Sequence, residues 1–179
     1  PAVPPAHLPR RYSPTAYQTL VDCPYRFFVT RVLGIRELDA ADEALYKSDY
    51  GNALHRILKA FHDSDPAPVR DAALGRLQEL SAAEFATLPA YTAVAWRSRW
   101  EALQPGYIDA WLDWIAQGWR YQSGETEFAV PVDVAGLGEI TLHGRVDRVD
   151  ARGEARAVID YKTGAAQGLK KHLQAPDEA

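Results

Sequence analysis

Gly144-Arg145-Val146-Asp147-Arg148-Val149-Asp150, followed after a short turn by Val158-Ile159-Asp160-Tyr161-Lys162-Thr163-Gly164, is the stretch of this chain that decides its fold. Side chains alternate faces along a strand, so Asp160 and Lys162 point one way and Ile159 and Tyr161 the other. Just upstream, Ile140, Leu142, Gly144 and Val146 form one side and Thr141, His143, Arg145 and Asp147 the other. That is the alternation of a sheet with one packed face and one wet face. Between the two strands, Asp150-Ala151-Arg152-Gly153-Glu154 has the Gly and Asp of a tight reversal, so the strands are expected to pair antiparallel and bring Asp147 near Asp160. Two carboxylates about 4 Å apart repel by roughly 1–4 kcal/mol, depending on the effective dielectric constant. A divalent cation reverses that sign, and hard oxygen donors suit Mg²⁺ or Mn²⁺. The alternative is a pair of solvated aspartates matched to Arg145, Arg148 or Lys162. A second carboxylate, a lysine two residues on and a glycine permitting close approach together favour the metal site.

Outward from this stretch, the alternation of Thr126, Phe128, Val130 and Val132 against Glu127, Ala129 and Pro131 adds a strand, with the turn at Gly136 and Gly138. Three strands, 125–134, 138–150 and 155–163, are expected to form an antiparallel meander, with Glu127 able to face the side of the two aspartates. The N-terminal half reads as helices. Ser13-Pro14 is a capping residue followed by Pro at the first helical position. Tyr17, Leu20 and Val21 give a short apolar stripe that Cys23-Pro24 interrupts. Phe27, Phe28, Val32 and Leu33 then supply a core, with Arg26, Arg31 and Arg36 outward, until Gly34. Residues 44–62 place Leu54, Ile57, Leu58 and Phe61 on one buried face, with Gly51 and His55 one turn apart on the adjoining face and His62 at the surface. Val69 to Phe85 is expected to be helical, as is Tyr91 to Trp119, broken or kinked at Pro105-Gly106. The latter carries all five tryptophans, whose spacing fits a core stripe better than a base-stacking platform. Residues 1–12, with four prolines, read as a linker or mobile arm, and Gly168 to Leu173 as the start of a further helix.

The 179 residues, 47% hydrophobic and 25% charged, have the composition of a soluble globular domain. No apolar run suggests a membrane span or a secretion signal, so a cytoplasmic setting is expected. One cysteine, Cys23, cannot make an internal disulfide, and an iron–sulfur cluster cannot be held by this chain alone. The absence of methionine predicts a segment of a longer polypeptide. The net charge of −4 argues against a generally basic nucleic-acid binder. Yet residues 1–36 carry +4 and residues 141–173 carry +3, so the basic segments flank the candidate site. That pattern suits phosphate binding and also arises in ordinary surfaces.

Four strings recur in a family order: Ser13-Pro14-Thr15 with Tyr17 and Cys23-Pro24-Tyr25-Arg26-Phe27-Phe28; Tyr50-Gly51-Asn52-Ala53-Leu54-His55; Gly144-Arg145-Val146-Asp147; and Ile159-Asp160-Tyr161-Lys162-Thr163-Gly164. In order and spacing the chain resembles the RecB-like branch of the PD-(D/E)XK nuclease superfamily, in particular the C-terminal nuclease domain of AddB-type subunits. The resemblance implies an α/β, restriction-endonuclease-like core in which a small mixed sheet with an antiparallel meander is flanked by helices, over residues 13–179. It implies that His55, Asp147, Asp160 and the carbonyl of Tyr161 ligate one or two Mg²⁺ or Mn²⁺ ions. Asp147, Asp160 and Lys162 become the catalytic set, Lys162 positioning or deprotonating the attacking water. Glu127 and Arg145 are additional candidates.

Two features depart from the family pattern. A Gln-x-x-x-Tyr helix follows the lysine in the family, but Gln174 has no matching Tyr, which predicts a domain truncated at its C-terminal end. The three further cysteines of an iron–sulfur staple are also absent, leaving Cys23 as a residual ligand or a small packed residue. The expected function is metal-dependent hydrolysis of DNA, single-stranded or at duplex ends, probing backbone rather than base edges. Exonuclease action in recombination or repair, beside a helicase subunit or domain, follows from the resemblance. The rivals are a non-catalytic DNA-binding or scaffolding domain that kept the fold, and a hydrolase of small phosphate esters.

Overall fold

β3 (Gly138–Arg152) is the centre of the sheet in the computed structural model, which describes residues 4–35 and 41–163. β2 (Arg120–Val134) pairs antiparallel along it from Arg120↔Ala151 to Val134↔Gly138. β4 (Ala155–Ile159) pairs antiparallel with its C-terminal part, from Arg152↔Ala155 to Arg148↔Ile159. β1 (Arg11–Tyr12) adds a parallel rung at Thr141 and Leu142, which makes the sheet mixed. The described residues also form six α-helices: α1 (Pro14–Asp22), α2 (Pro24–Phe27), α3 (Ala41–Asp63), α4 (Arg70–Phe85), α5 (Ala90–Glu101) and α6 (Gln104–Ala116). None is long and apolar enough to cross a membrane. The chain divides into two units, Pro1–Ala44 with Ala116–Ile159 and Leu45–Ile115 with Asp160–Ala179.

The first unit holds the sheet. The expected meander forms, with β2 starting earlier and β4 ending earlier than its sequence pattern. Asp150 is not a turn residue: the reversal is made by Gly153, at φ 58°, and Glu154. Asp150 is instead fully buried, on the same face as Ile140, and its Oδ1 accepts from Arg148 Nε at 2.7 Å. Gly144 serves packing rather than a ligand. A β-carbon there would come within 2.9 Å of the ring of its cross-strand partner Phe128 and 3.3 Å of Pro14 Cδ. Ser13 caps α1 by accepting from Ala16 N at 3.2 Å, with Pro14 at the first helical position, as the sequence requires. Cys23 ends α1 and caps α2, its Sγ accepting from Arg26 N at 3.5 Å. Two N-terminal expectations change. Residues 11 and 12 belong to the sheet, where Tyr12 is buried and stacks on Phe27 with ring centroids 5.7 Å apart. Tyr17, Val21 and Leu33 are exposed rather than core.

The second unit is helical. Leu54, Ile57, Leu58 and Phe61 of α3 are buried together against Leu77 and Phe85 of α4, Trp96 and Trp100 of α5, and Ile108 and Trp111 of α6. Side chains of this size contribute about 1.5–3 kcal/mol each when buried. Pro105 does not kink a long helix. It stands in the first turn of α6, where its missing N–H is harmless, and the break falls at Ala102 and Leu103. Trp96, Trp100 and Trp111 are core, and Trp100 Nε1 donates to Ser81 Oγ at 2.8 Å. Trp119 lies outside the helices, buried in the first unit under the Arg152 guanidinium at 4.7 Å. Base stacking is therefore not their role. The expected helix from Gly168, together with Gly164 and Gln174, lies outside the described residues.

Candidate functional site

In the second unit, the chain beyond β4 leaves the ladder because helix side chains take its backbone acceptors. His55 Nε2, on α3, donates to the Tyr161 carbonyl at 3.2 Å. Arg99, on α5, donates to the Thr163 carbonyl at 2.8 Å. Gly51, one turn before His55, faces this segment, where a β-carbon would meet Thr163 Oγ1 in ordinary contact at 3.5 Å. Asp160 and Lys162 do meet, although the strand whose shared face was expected to bring them together does not reach them. Nζ lies 3.0 Å from Oδ1 and 2.8 Å from Oδ2, with the two side chains 59% and 57% exposed. Asp160 to Thr163 is thus an anchored, non-strand segment, and the strand expected over 155–163 stops at Ile159.

In the first unit, Asp147 is half-buried on the polar face of β3 with Arg145. The residue across from it is one that sequence reasoning missed. The rungs Gly124↔Arg148 and Thr126↔Val146 put Glu125 opposite Asp147, and a Glu125 carboxylate oxygen lies within 4.8 Å of one of Asp147. Glu125 has φ 53°, a left-handed backbone that costs a non-glycine residue about 1–2 kcal/mol. Such strain marks functional positions more often than idle ones. Arg145 Nε pairs with Glu125 Oε2 at 2.7 Å and offsets the repulsion between the two acids. Glu127 lies on the same face, opposite Arg145, but is exposed. Glu125 stood at the edge of the expected strand 125–134, and the structure extends that strand back through Gly124 to Arg120.

Within the second unit, His55, the Tyr161 carbonyl and Asp160 offer donors that fit a divalent cation by their chemistry. Two neighbouring ligands of an octahedral Mg²⁺ stand about 3 Å apart. His55 Nε2 and the Tyr161 oxygen, at 3.2 Å, match that separation once the imidazole proton is given up. An imidazole nitrogen, a carbonyl and a carboxylate also suit Mn²⁺.

An uncharacterized protein of Rickettsia conorii is 26% identical over 170 residues, covering 91% of this chain and 20% of its own length. An uncharacterized protein of Rickettsia typhi is 27% identical over 176 residues, covering 91% and 19%. The chain therefore spans about a fifth of the length of the curated relatives it matches. The family model of the PD-(D/E)XK nuclease superfamily matches residues 11–177, a span that holds His55, Glu125, Asp147, Asp160 and Lys162. By that match the chain belongs to the PD-(D/E)XK nuclease superfamily, a superfamily of metal-dependent nucleases.

Proposed function

We propose that this chain is a RecB-like, AddB-type nuclease domain over residues 13–179 that hydrolyses DNA phosphodiester bonds in recombination or repair. It acts as an exonuclease on single strands or duplex ends, in the cytoplasm, beside a helicase subunit or domain. His55, Asp147, Asp160 and the Tyr161 carbonyl hold Mg²⁺ or Mn²⁺, with Glu125 as a further carboxylate. The bound ion supplies Lewis acidity toward the phosphate and lowers the pKa of water. Lys162 orients the attacking water and balances charge on the phosphate. Arg145, held by Glu125 at 2.7 Å, is placed to release toward a phosphate oxygen when the acids are otherwise compensated.

The observation that carries this reading is the approach of His55 Nε2 to the carbonyl between Asp160 and Lys162 at 3.2 Å, inside a superfamily match to residues 11–177. The test is degradation of end-labelled single- and double-stranded DNA with Mg²⁺, Mn²⁺ or EDTA. Metal-dependent cleavage lost in Asp160→Ala and Lys162→Ala is the expected result. The exposed Asp160–Lys162 ion pair also suits the second reading, a non-catalytic domain that retained the fold. A folded chain that binds Mn²⁺ and DNA without cleaving would decide for it.

A further inference from the structure

His62 is one turn past Leu58 on α3, and it is buried to 4% exposure rather than lying at the surface as its polarity suggested. The edges of Phe61 and Trp111 enclose its ring, with centroids 5.1 Å and 6.2 Å away. Its Nε2 lies 2.6 Å from the hydroxyl of Tyr107 on α6, and that hydroxyl lies 3.2 Å from the hydroxyl of Tyr161. Burying an imidazole among aromatic rings is unfavourable unless it is hydrogen-bonded, and the half-buried Tyr107 and Tyr161 hydroxyls complete that bonding. The Tyr107 hydroxyl belongs to both bonds and has one proton. If it donates to His62, Tyr161 must donate to it; if His62 Nε2 carries the proton, the run reverses. In either sense, removing the Tyr107 oxygen breaks the whole chain.

Tyr161 is also the residue whose carbonyl faces His55. Helix α3 thus holds it at two points, the carbonyl directly through His55 and the ring through His62 and Tyr107. The two histidines are seven residues apart, about 10 Å along the helix axis. Asp160 and Lys162, on either side, are exposed and outside regular structure, so the hold on Tyr161, together with that of Arg99 on the Thr163 carbonyl, orients the peptides that carry them. We propose that His62 and Tyr107 are positioning residues, which set the orientation of Tyr161 and so present its carbonyl and the Asp160 carboxylate to a divalent cation. This inference rests on the metal site argued above.

The test is Mn²⁺ binding to the chain by calorimetry and by electron paramagnetic resonance, with thermal unfolding of the metal-free protein alongside. Partners that orient metal ligands typically change affinity 10–100-fold when removed. Tyr107→Phe, which deletes one oxygen and keeps the ring, should weaken Mn²⁺ binding about tenfold. His62→Leu should do the same, and His62→Gln, whose amide can still bond the hydroxyl, should recover most of the loss. If Tyr107→Phe does not fold, Tyr161→Phe removes the other end of the same bond and carries the same expectation. Wild-type affinity in folded Tyr107→Phe and Tyr161→Phe would overturn the positioning role and leave the metal site standing. Absence of Mn²⁺ binding by the wild-type chain would overturn both.

Discussion

Arg148 with Asp150, and Asp160 with Lys162, are the same chemistry at the same spacing, a cation and a carboxylate two residues apart, yet the fold treats them oppositely. The first pair is on β3 with side chains 5% and 0% exposed, joined by two parallel bonds, Nε to Oδ1 at 2.7 Å and Nη2 to Oδ2. The second follows β4 with both side chains more than half exposed. Burial separates the roles. A desolvated pair must keep both members, because a lone buried charge is far costlier than the pair is beneficial. An exposed pair loses little when broken, so its members can exchange one another for an ion or a phosphate.

The largest expected effect tests the buried half of this contrast. Asp150→Ala should lower stability by about 3–5 kcal/mol, because Arg148 is left charged and buried. Against the roughly 5–15 kcal/mol that holds a domain together, that is a large fraction of the total. Urea unfolding followed by tryptophan fluorescence measures it. A wild-type midpoint would mean that burial is not what distinguishes the two pairs. The exposed half predicts the reverse. Asp160→Ala and Lys162→Ala should each move stability by no more than about 0.5 kcal/mol while lowering nuclease turnover about 10²–10³-fold. A large loss of stability in either would make that pair structural as well.

A fourth variant probes how closely β3 is packed. Gly144→Ala sets a β-carbon 2.9 Å from the Phe128 ring and should cost about 1–3 kcal/mol through overpacking. Adding Phe128→Leu should return much of that loss. If the double variant is the sum of the singles, the ring is not what requires the glycine.

The sequence made legible whatever depends on local period. The stripe of Leu54, Ile57, Leu58 and Phe61, the cap at Ser13 and the polar face bearing Arg145 and Asp147 are all periodic or short-range features. Long-range contacts were not legible. His62 continues the buried stripe, at eight residues from Leu54 and four from Leu58, but its polarity argued for the surface. Its burial depends on Tyr107, 45 residues away, to complete its hydrogen bonding. The early end of β4 likewise depends on His55 and Arg99, which capture carbonyls from helices distant in sequence. Glu125 escaped notice because a left-handed glutamate inside a strand goes against its own backbone preference. Local reasoning fails where the fold overrides it, and two of these three features, the end of β4 and Glu125, border the candidate site.

Arg70 and Asp109 separate burial from geometry, which the first comparison leaves joined. They link α4 to α6 with the same two parallel bonds as Arg148 and Asp150, Nε to Oδ1 at 2.6 Å and Nη2 to Oδ2 at 3.1 Å. Here the side chains are 47% and 53% exposed. The hydrogen bond from Arg70 holds the Asp109 carboxyl below its usual range, assisted by the guanidinium charge and opposed by slight desolvation. A carboxyl so depressed contributes stability that is present above its unfolded pKa, about 3.9. That contribution is lost as pH falls through the lower folded value. Asp109→Asn should therefore cost only a small fraction of the Asp150→Ala effect at pH 7. The difference from wild type should be flat above about pH 5, shrink with acidification and diminish in high salt, where exposed charges are screened. Urea titrations from pH 2 to pH 7 at two salt concentrations would show it. A loss at neutral pH as large as that of Asp150→Ala would mean that two well-formed bonds suffice to make an ion pair structural. Desolvation would then not be what sets Arg148–Asp150 apart from Asp160–Lys162.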